Sequence, residues 1–167
     1  MQRLILLILL LPLLLPACGQ EKETAQGSLL REKDREFVRT TLGEIKGPVR
    51  LVLFTSREEC DYCDLTESFL GDIASLASGV AVEVLSLEDD SSRAAALGVD
   101  KAPGTAVLGG KDHGIRYYGL PTGYEFNTFV ETIRQVADDD SGLMPETAAA
   151  LASLSKPVTI TVFSTKT

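Results

Sequence analysis

Apolar positions change period several times along residues 31–139, and each change marks an element. Phe37, Val38, Leu42 and Ile45 recur at helical spacing over Asp34 to Ile45. Gly47-Pro48 ends that helix. Val49-Arg50-Leu51-Val52-Leu53-Phe54-Thr55 follows as an apolar, strand-like run. Asp61 to Leu76 carries Leu65, Phe69, Ile73 and Leu76, a helical stripe facing a core. Val80 to Leu87 alternates over part of its length and reads as a strand. Ser91 to Leu97 reads as a short helix, with Ser91 or Ser92 available as N-cap. Gly104 to Leu108 and Ile115 to Tyr118 read as short strands around the turn residues Gly109-Gly110-Lys111-Asp112. Tyr124 to Ala137 is a final helix carrying Phe126, Phe129, Val130, Ile133 and Val136. The order α-β-α-β-α-β-β-α is a parallel βαβ unit followed by a hairpin. It predicts an α/β fold with a central mixed sheet flanked by helices.

The ends of the chain read differently. Arg3 and the apolar run Leu4 to Leu15 have the layout of a secretory signal. That run of about 12 residues is short beside the roughly 20 that a membrane-spanning helix needs. Leu15-Pro16-Ala17-Cys18 resembles a bacterial lipobox. The resemblance implies residues 1–18 as a lipoprotein signal, cleavage before Cys18 and a lipid on its sulfur. The alternative is an ordinary signal peptide with an unrelated cysteine. Residues 19–30 are polar and aperiodic, as in a flexible tether.

At the other end, Pro157-Val158-Thr159-Ile160-Thr161-Val162-Phe163-Ser164-Thr165 echoes Pro48 to Ser56. Leu151 and Leu154 fall where Leu42 and Ile45 fall. The register suggests that residues 140–167 are a linker helix and first strand of an incomplete second unit. The alternative is a plain terminal helix and strand.

Charge narrows the partners. Acids outnumber bases, 24 against 16, for a formal net charge of −8, with no basic cluster. A phosphate backbone needs a Lys/Arg surface, so no nucleic-acid partner is expected.

The candidate chemistry lies in Cys60-Asp61-Tyr62-Cys63, between the strand ending at Thr55 and a helical stripe. A thiol in the first turn of a helix meets unsatisfied backbone N–H groups and the positive end of the helix dipole. Both favour the thiolate, which is the nucleophile. Three readings compete. As a structural staple the pair closes so small a loop that it constrains little of the unfolded chain. A zinc site needs two more ligands. The single histidine, His113, is far off in a predicted turn, and the third cysteine is Cys18, so no metal is expected. A dithiol/disulfide exchanger needs only the helix start and an open approach. Export would hold the pair in an oxidising compartment, where a disulfide persists.

Lys101-Ala102-Pro103-Gly104-Thr105 precedes a later strand. Strand, C-x-x-C, helix and a later X-Pro entering a strand together resemble the thioredoxin superfamily. Ile115-Arg116-Tyr117-Tyr118-Gly119-Leu120-Pro121-Thr122-Gly123-Tyr124-Glu125-Phe126 is similar to a stretch of the two-unit, glutaredoxin-like protein disulfide oxidoreductases. The likeness extends over Arg31 to Thr167. It implies a thioredoxin-like domain over residues 31–139, a cis Pro103 facing the pair, and Ala102 presenting backbone groups to a substrate strand. It implies Cys60 and Cys63 as catalytic, Tyr62 beside the substrate, and no cofactor beyond the redox-active disulfide. Protein thiols or disulfides become the substrates and an unidentified redox protein the electron partner. With a lipid on Cys18, the location becomes the extracytoplasmic face of a bacterial envelope.

The chain departs from the pattern in two respects. Glu58, Glu59, Asp61 and Asp64 surround the pair, with Arg57 as the nearby cation. Like charge disfavours a thiolate, so the first cysteine is expected below the free value of about 8.5 but far from 3.5. A solvated acidic rim is the plainer account of these acids. Thioredoxins also hold a buried acid on the strand beneath the pair, and the matching position here is Phe54. Proton removal from Cys63 then falls to water, Glu83 or Glu88. A redox-quiet binding module, with the chemistry in a second unit, remains the competing reading. A flavoprotein peroxide-reductase system is a third, opposed by the lipoprotein-like signal.

Overall fold

The computed structural model describes residues 28–58 and 60–163. Helix α1 (Glu32–Leu42) is followed by strand β1 (Val49–Thr55), α2 (Cys63–Leu76), β2 (Val80–Ser86), α3 (Ser91–Leu97), β3 (Gly104–Leu108) and β4 (Asp112–Tyr118). A 3-10 turn (Gly123–Glu125) leads into α4 (Phe126–Asp138), and α5 (Pro145–Ala152) comes last. The four strands form one mixed sheet in the order β2-β1-β3-β4. β1 runs parallel to β2 and antiparallel to β3, and β3 is antiparallel to β4.

The two faces of the sheet sort the apolar residues by parity. Val49, Leu51 and Leu53 of β1 join Val107 of β3 under α1, α2 and α4, in a core with Phe69, Leu70, Ile73, Phe129 and Ile133. Val52 and Phe54 face the other way and meet Ala94 and Val99, with Ala106 and Leu108. Every position of β3 is buried, the polar Thr105 included. Phe69 and Phe129 lie 6.0 Å apart between ring centroids, and the Tyr117 ring stands edge-on to Phe129 at 4.9 Å.

Boundaries shift where local chemistry intervenes. α1 stops at Leu42 rather than Ile45, because Gly43 is a poor helix former. Ile45 packs against the core without being helical. α2 begins at Cys63, not Asp61. The cap of α3 is Asp90, not Ser91 or Ser92; its carboxylate accepts from the Ser86 N–H at 3.0 Å. β4 starts at Asp112, whose carboxylate takes two bonds from the Arg116 guanidinium, at 2.9 and 2.6 Å. Tyr124 lies in the 3-10 turn, ahead of α4.

Both end segments also differ from expectation. The tether expected over 19–30 ends sooner, since residues 28–30 are docked. Ser28 Oγ and the Leu29 N–H both donate to Asp72 Oδ2, at 2.9 and 2.7 Å, and Leu30 is buried in the main core. Residues 157–163, the described part of the expected strand Pro157 to Thr165, join no ladder. Alternating β-branched residues make a strand only when a partner accepts their backbone groups. α5 buries no residue. Residues 1–18, including Cys18, lie outside the described residues.

Candidate functional site: a disulfide at the start of a helix

Cys60 and Cys63 are joined in a disulfide, with S–S 1.99 Å and Cα–Cα 5.5 Å. Cys63 is the first residue of α2 and Tyr62 its N-cap, so Cys60 stands outside the helix, in the loop from β1. The thiol expected in the first turn of the helix is therefore that of Cys63, not Cys60. The Cys63 N–H approaches the Cys60 carbonyl at 3.4 Å. Thr66, one turn on, donates both its N–H and its hydroxyl to the Tyr62 carbonyl, at 2.9 and 2.7 Å. Exposure separates the two sulfurs' residues: Cys60 is half-buried, whereas Cys63 is only 5% exposed.

Pro103 enters β3 through a cis peptide bond after Ala102. Gly104 pairs with Phe54 of β1 and with Tyr118 of β4, so Pro103 lies at the sheet end from which the loop carrying Cys60 departs. Pro103 is buried, and its carbonyl accepts from the Gly119 N–H at 2.9 Å. Ala102 is half-buried and lies beyond the last paired residue of β3. The sheet thus brings the motif and the X-Pro step, far apart in the chain, to the same end of its two central strands.

No family model matches the chain, and no curated protein matches it. Solved structures do. The crystal structure of a protein disulfide oxidoreductase from Aeropyrum pernix K1 aligns at TM-score 0.65 and 30% identity, over 74% of this chain and 55% of that one. The NTD_N/C domain of the alkylhydroperoxide reductase AhpF from Enterococcus faecalis V583 aligns at TM-score 0.68 and 22% identity, over 76% of this chain and 62% of that one. A mutant AhpF from the same organism aligns at TM-score 0.68 and 22% identity, over 75% and 61%. The chain has a thioredoxin-like fold. It spans 55% to 62% of the length of these matched chains.

The surroundings of the disulfide are acidic, as the sequence implies. Glu58, Asp61 and Asp64 are exposed, and Glu59 lies outside the described residues. Arg57 does not face the pair as a free cation; its guanidinium binds Asp89 at 2.9 Å. A second cation, missed in the sequence, lies beside the cis proline. Lys101 Nζ sits 5.7 Å from the centre of the Tyr118 ring, at cation–π range. Only the β3–β4 pairing reveals that neighbour.

The two suggested bases are otherwise engaged. Glu83 is paired with Arg93 at 2.8 Å and Arg50 at 3.6 Å. Glu88 accepts from Ser56 Oγ and Ser86 Oγ, each at 2.6 Å. The Ser56 bond, then the Ser86 bond, lower its pKa from 4.5 to about 2. So weak a base is poorly suited to take a thiol proton. Phe54 also needs correction as the residue beneath the pair. Its ring faces the α3 side, and Leu53 is the β1 residue that faces the α2 side. Both positions are apolar, so β1 places no acid there. His113 lies in β4, not in a turn, and contacts Asp139 at 3.4 Å. Among the described residues no group of three His, Cys, Asp or Glu side chains could hold a metal.

Proposed function

We propose that this domain is a thiol–disulfide oxidoreductase acting on cysteines of protein substrates. The observation that carries the reading is the asymmetric pair, a half-buried Cys60 on a loop and a buried Cys63 heading α2, joined in a disulfide. In the reducing direction the Cys60 thiolate attacks one sulfur of a substrate disulfide. A Cys60–substrate disulfide forms, and the other substrate sulfur leaves as a thiolate that takes up a proton. Cys63 then loses its proton and attacks the Cys60 sulfur. The Cys60–Cys63 bond re-forms and the second substrate thiolate departs. The substrate gains two electrons and the pair loses two; an external dithiol restores the reduced pair. The same steps reversed oxidise a substrate dithiol.

Ala102 and Pro103 align the substrate beside the pair as an added strand. What supports this is that β3 pairing stops at Gly104, one residue past the cis bond. Tyr62, 54% exposed between the two cysteines, supplies an aromatic wall to the same approach. The wider setting is also a proposal: a lipid on Cys18, an extracytoplasmic location and a second thioredoxin-like unit beginning within residues 140–167. The uncovered Val158, Ile160 and Val162 support that last part.

A Cys63→Ser variant tests the reading, because it should trap substrates on Cys60 as mixed disulfides visible on non-reducing gels. Cys60→Ser should abolish both trapping and insulin-disulfide reduction. No trapping, together with undiminished reduction in Cys60→Ser, removes the enzyme reading and leaves a docking module with a quiet disulfide.

A further inference from the structure

We propose that the Thr105 hydroxyl is the hydrogen-bond partner of the Cys63 sulfur in the dithiol form, and that it biases the pair toward that form. The inference rests on the thiol–disulfide reading above. Thr105 is fully buried. Among the described residues, its Oγ1 is the one buried side-chain nitrogen or oxygen without a hydrogen-bond partner. A buried hydroxyl left unpaired carries the full penalty of its desolvation, and native structures rarely retain one without a use.

The register places it. Thr105 is the second residue of β3, two past cis Pro103, and pairs with Leu53 on one side and Tyr117 on the other. Side chains alternate across a strand. Leu53 and Val107 belong to the core beneath α2, while Phe54 and Ala106 belong to the opposite one. Thr105 therefore faces the α2 side, near the sheet end that bears the redox loop.

From above, α2 lowers one stripe of buried residues toward that face: Cys63, Thr66, Phe69, Leu70 and Ile73. Cys63 is the last of the stripe at the loop end. Thr66 is the other buried hydroxyl among the described residues, and it is already bonded to the Tyr62 carbonyl. Leu53 offers no polar atom. On this face of the sheet, at the end where Cys63 begins α2, Thr105 is left as the free donor and acceptor.

In the disulfide, the Cys63 sulfur is bonded to Cys60 and carries no proton. Two-electron reduction frees it as a buried thiol. The Thr105 oxygen can accept from that S–H, and its O–H can donate to the thiolate formed on the way to resolution. A bond made in one state only stabilises that state alone.

Equilibration with glutathione tests this. In that exchange two glutathione thiols become one glutathione disulfide as the Cys60–Cys63 bond is reduced to two thiols. Thr105→Val keeps the shape and removes the hydroxyl. Its equilibrium constant for reduction should fall about tenfold, a potential about 30 mV lower. Thr105→Ser should restore the wild-type constant. In a Cys60→Ser background, Thr105→Val should also move the pH profile of Cys63 alkylation upward. Thr105→Ala carries the same measurements if the valine variant does not fold. An unchanged constant with an unmoved Cys63 profile overturns the inference and leaves thiol–disulfide exchange standing. A wild-type pair that does not exchange with glutathione at all overturns the functional reading, and this inference with it.

Discussion

Ser56 Oγ donates to Glu88 Oε1 at 2.6 Å, joining the exit of β1 to the exit of β2. The same oxygen accepts the Arg57 N–H at 3.3 Å, and Ser86 Oγ binds Oε2 at 2.6 Å. Ser56 Oγ in turn accepts from the Glu58 N–H at 3.1 Å. One carboxylate thus clasps the loop that climbs to Cys60. Glu88→Ala should speed amide exchange over residues 56–58 and slow thiol exchange per folded molecule. If Tm falls while both rates hold, the clasp positions nothing.

The clasp has a defined acid limit. Glu88 has its pKa lowered from 4.5 to about 2, chiefly by the Ser56 bond. A depressed folded-state pKa gives stability that is present above the unfolded value of 4.5 and lost as pH falls through about 2. Across the range where thiols titrate, the clasp stays ionised. Acid titrations of wild type and Glu88→Gln should diverge between those two values, with wild type losing more stability. Parallel curves would count against the assignment.

Gly104 is hemmed in. A Cβ there would come within 2.6 Å of the Lys101 carbonyl oxygen, 2.6 Å of Val99 Cγ1 and 3.2 Å of Tyr118 Cε1. Gly104→Ala should cost about 1–3 kcal/mol, the usual range for overpacking, and should disturb the Ala102–Pro103 step next to it. Urea unfolding reads the first effect and insulin reduction the second.

Asp72 holds the docked N-terminal residues through Ser28 and Leu29. Asp72→Ala should destabilise by about 1 kcal/mol, the scale of a typical hydrogen bond. Proteases should then cut near residues 28–30 in the variant and not in the wild type.

Phe129 is fully buried between Phe69 and Tyr117. Phe129→Ala should cost about 3–5 kcal/mol without changing the redox potential of the molecules that remain folded. A potential that moves with it would show that the core beneath α4 couples to the pair.

Residues whose role depends on local pattern were legible in the sequence. Val49 to Thr55, Ser91 to Leu97 and Gly104 to Leu108 form the elements their periods predict, with the same bounds. The disulfide and the cis Pro103 follow motifs that can be read in one dimension. Residues whose role depends on a cross-strand neighbour were not legible. Glu88 looked like a base because its partner Ser56 is 32 positions away. Lys101 met Tyr118 only after β3 and β4 paired. Phe54 and Leu53 exchanged roles because an apolar run does not declare which residue faces which layer. The unpaired hydroxyl of Thr105 had no signature in the sequence, since it is a fact about everything around it.

The disulfide straddles the start of α2, with Cys63 inside the helix and Cys60 outside it. One sulfur is therefore built into the frame, and the other rides on a strap. When the S–S link opens, the strap can swing without unwinding the helix. In the exchange proposed above, a substrate would meet Cys60 first, while Cys63 keeps a fixed address in α2. The link is built like a latch whose keeper is fixed to the doorpost: Cys63 is anchored in α2, and Cys60 is carried by the loop.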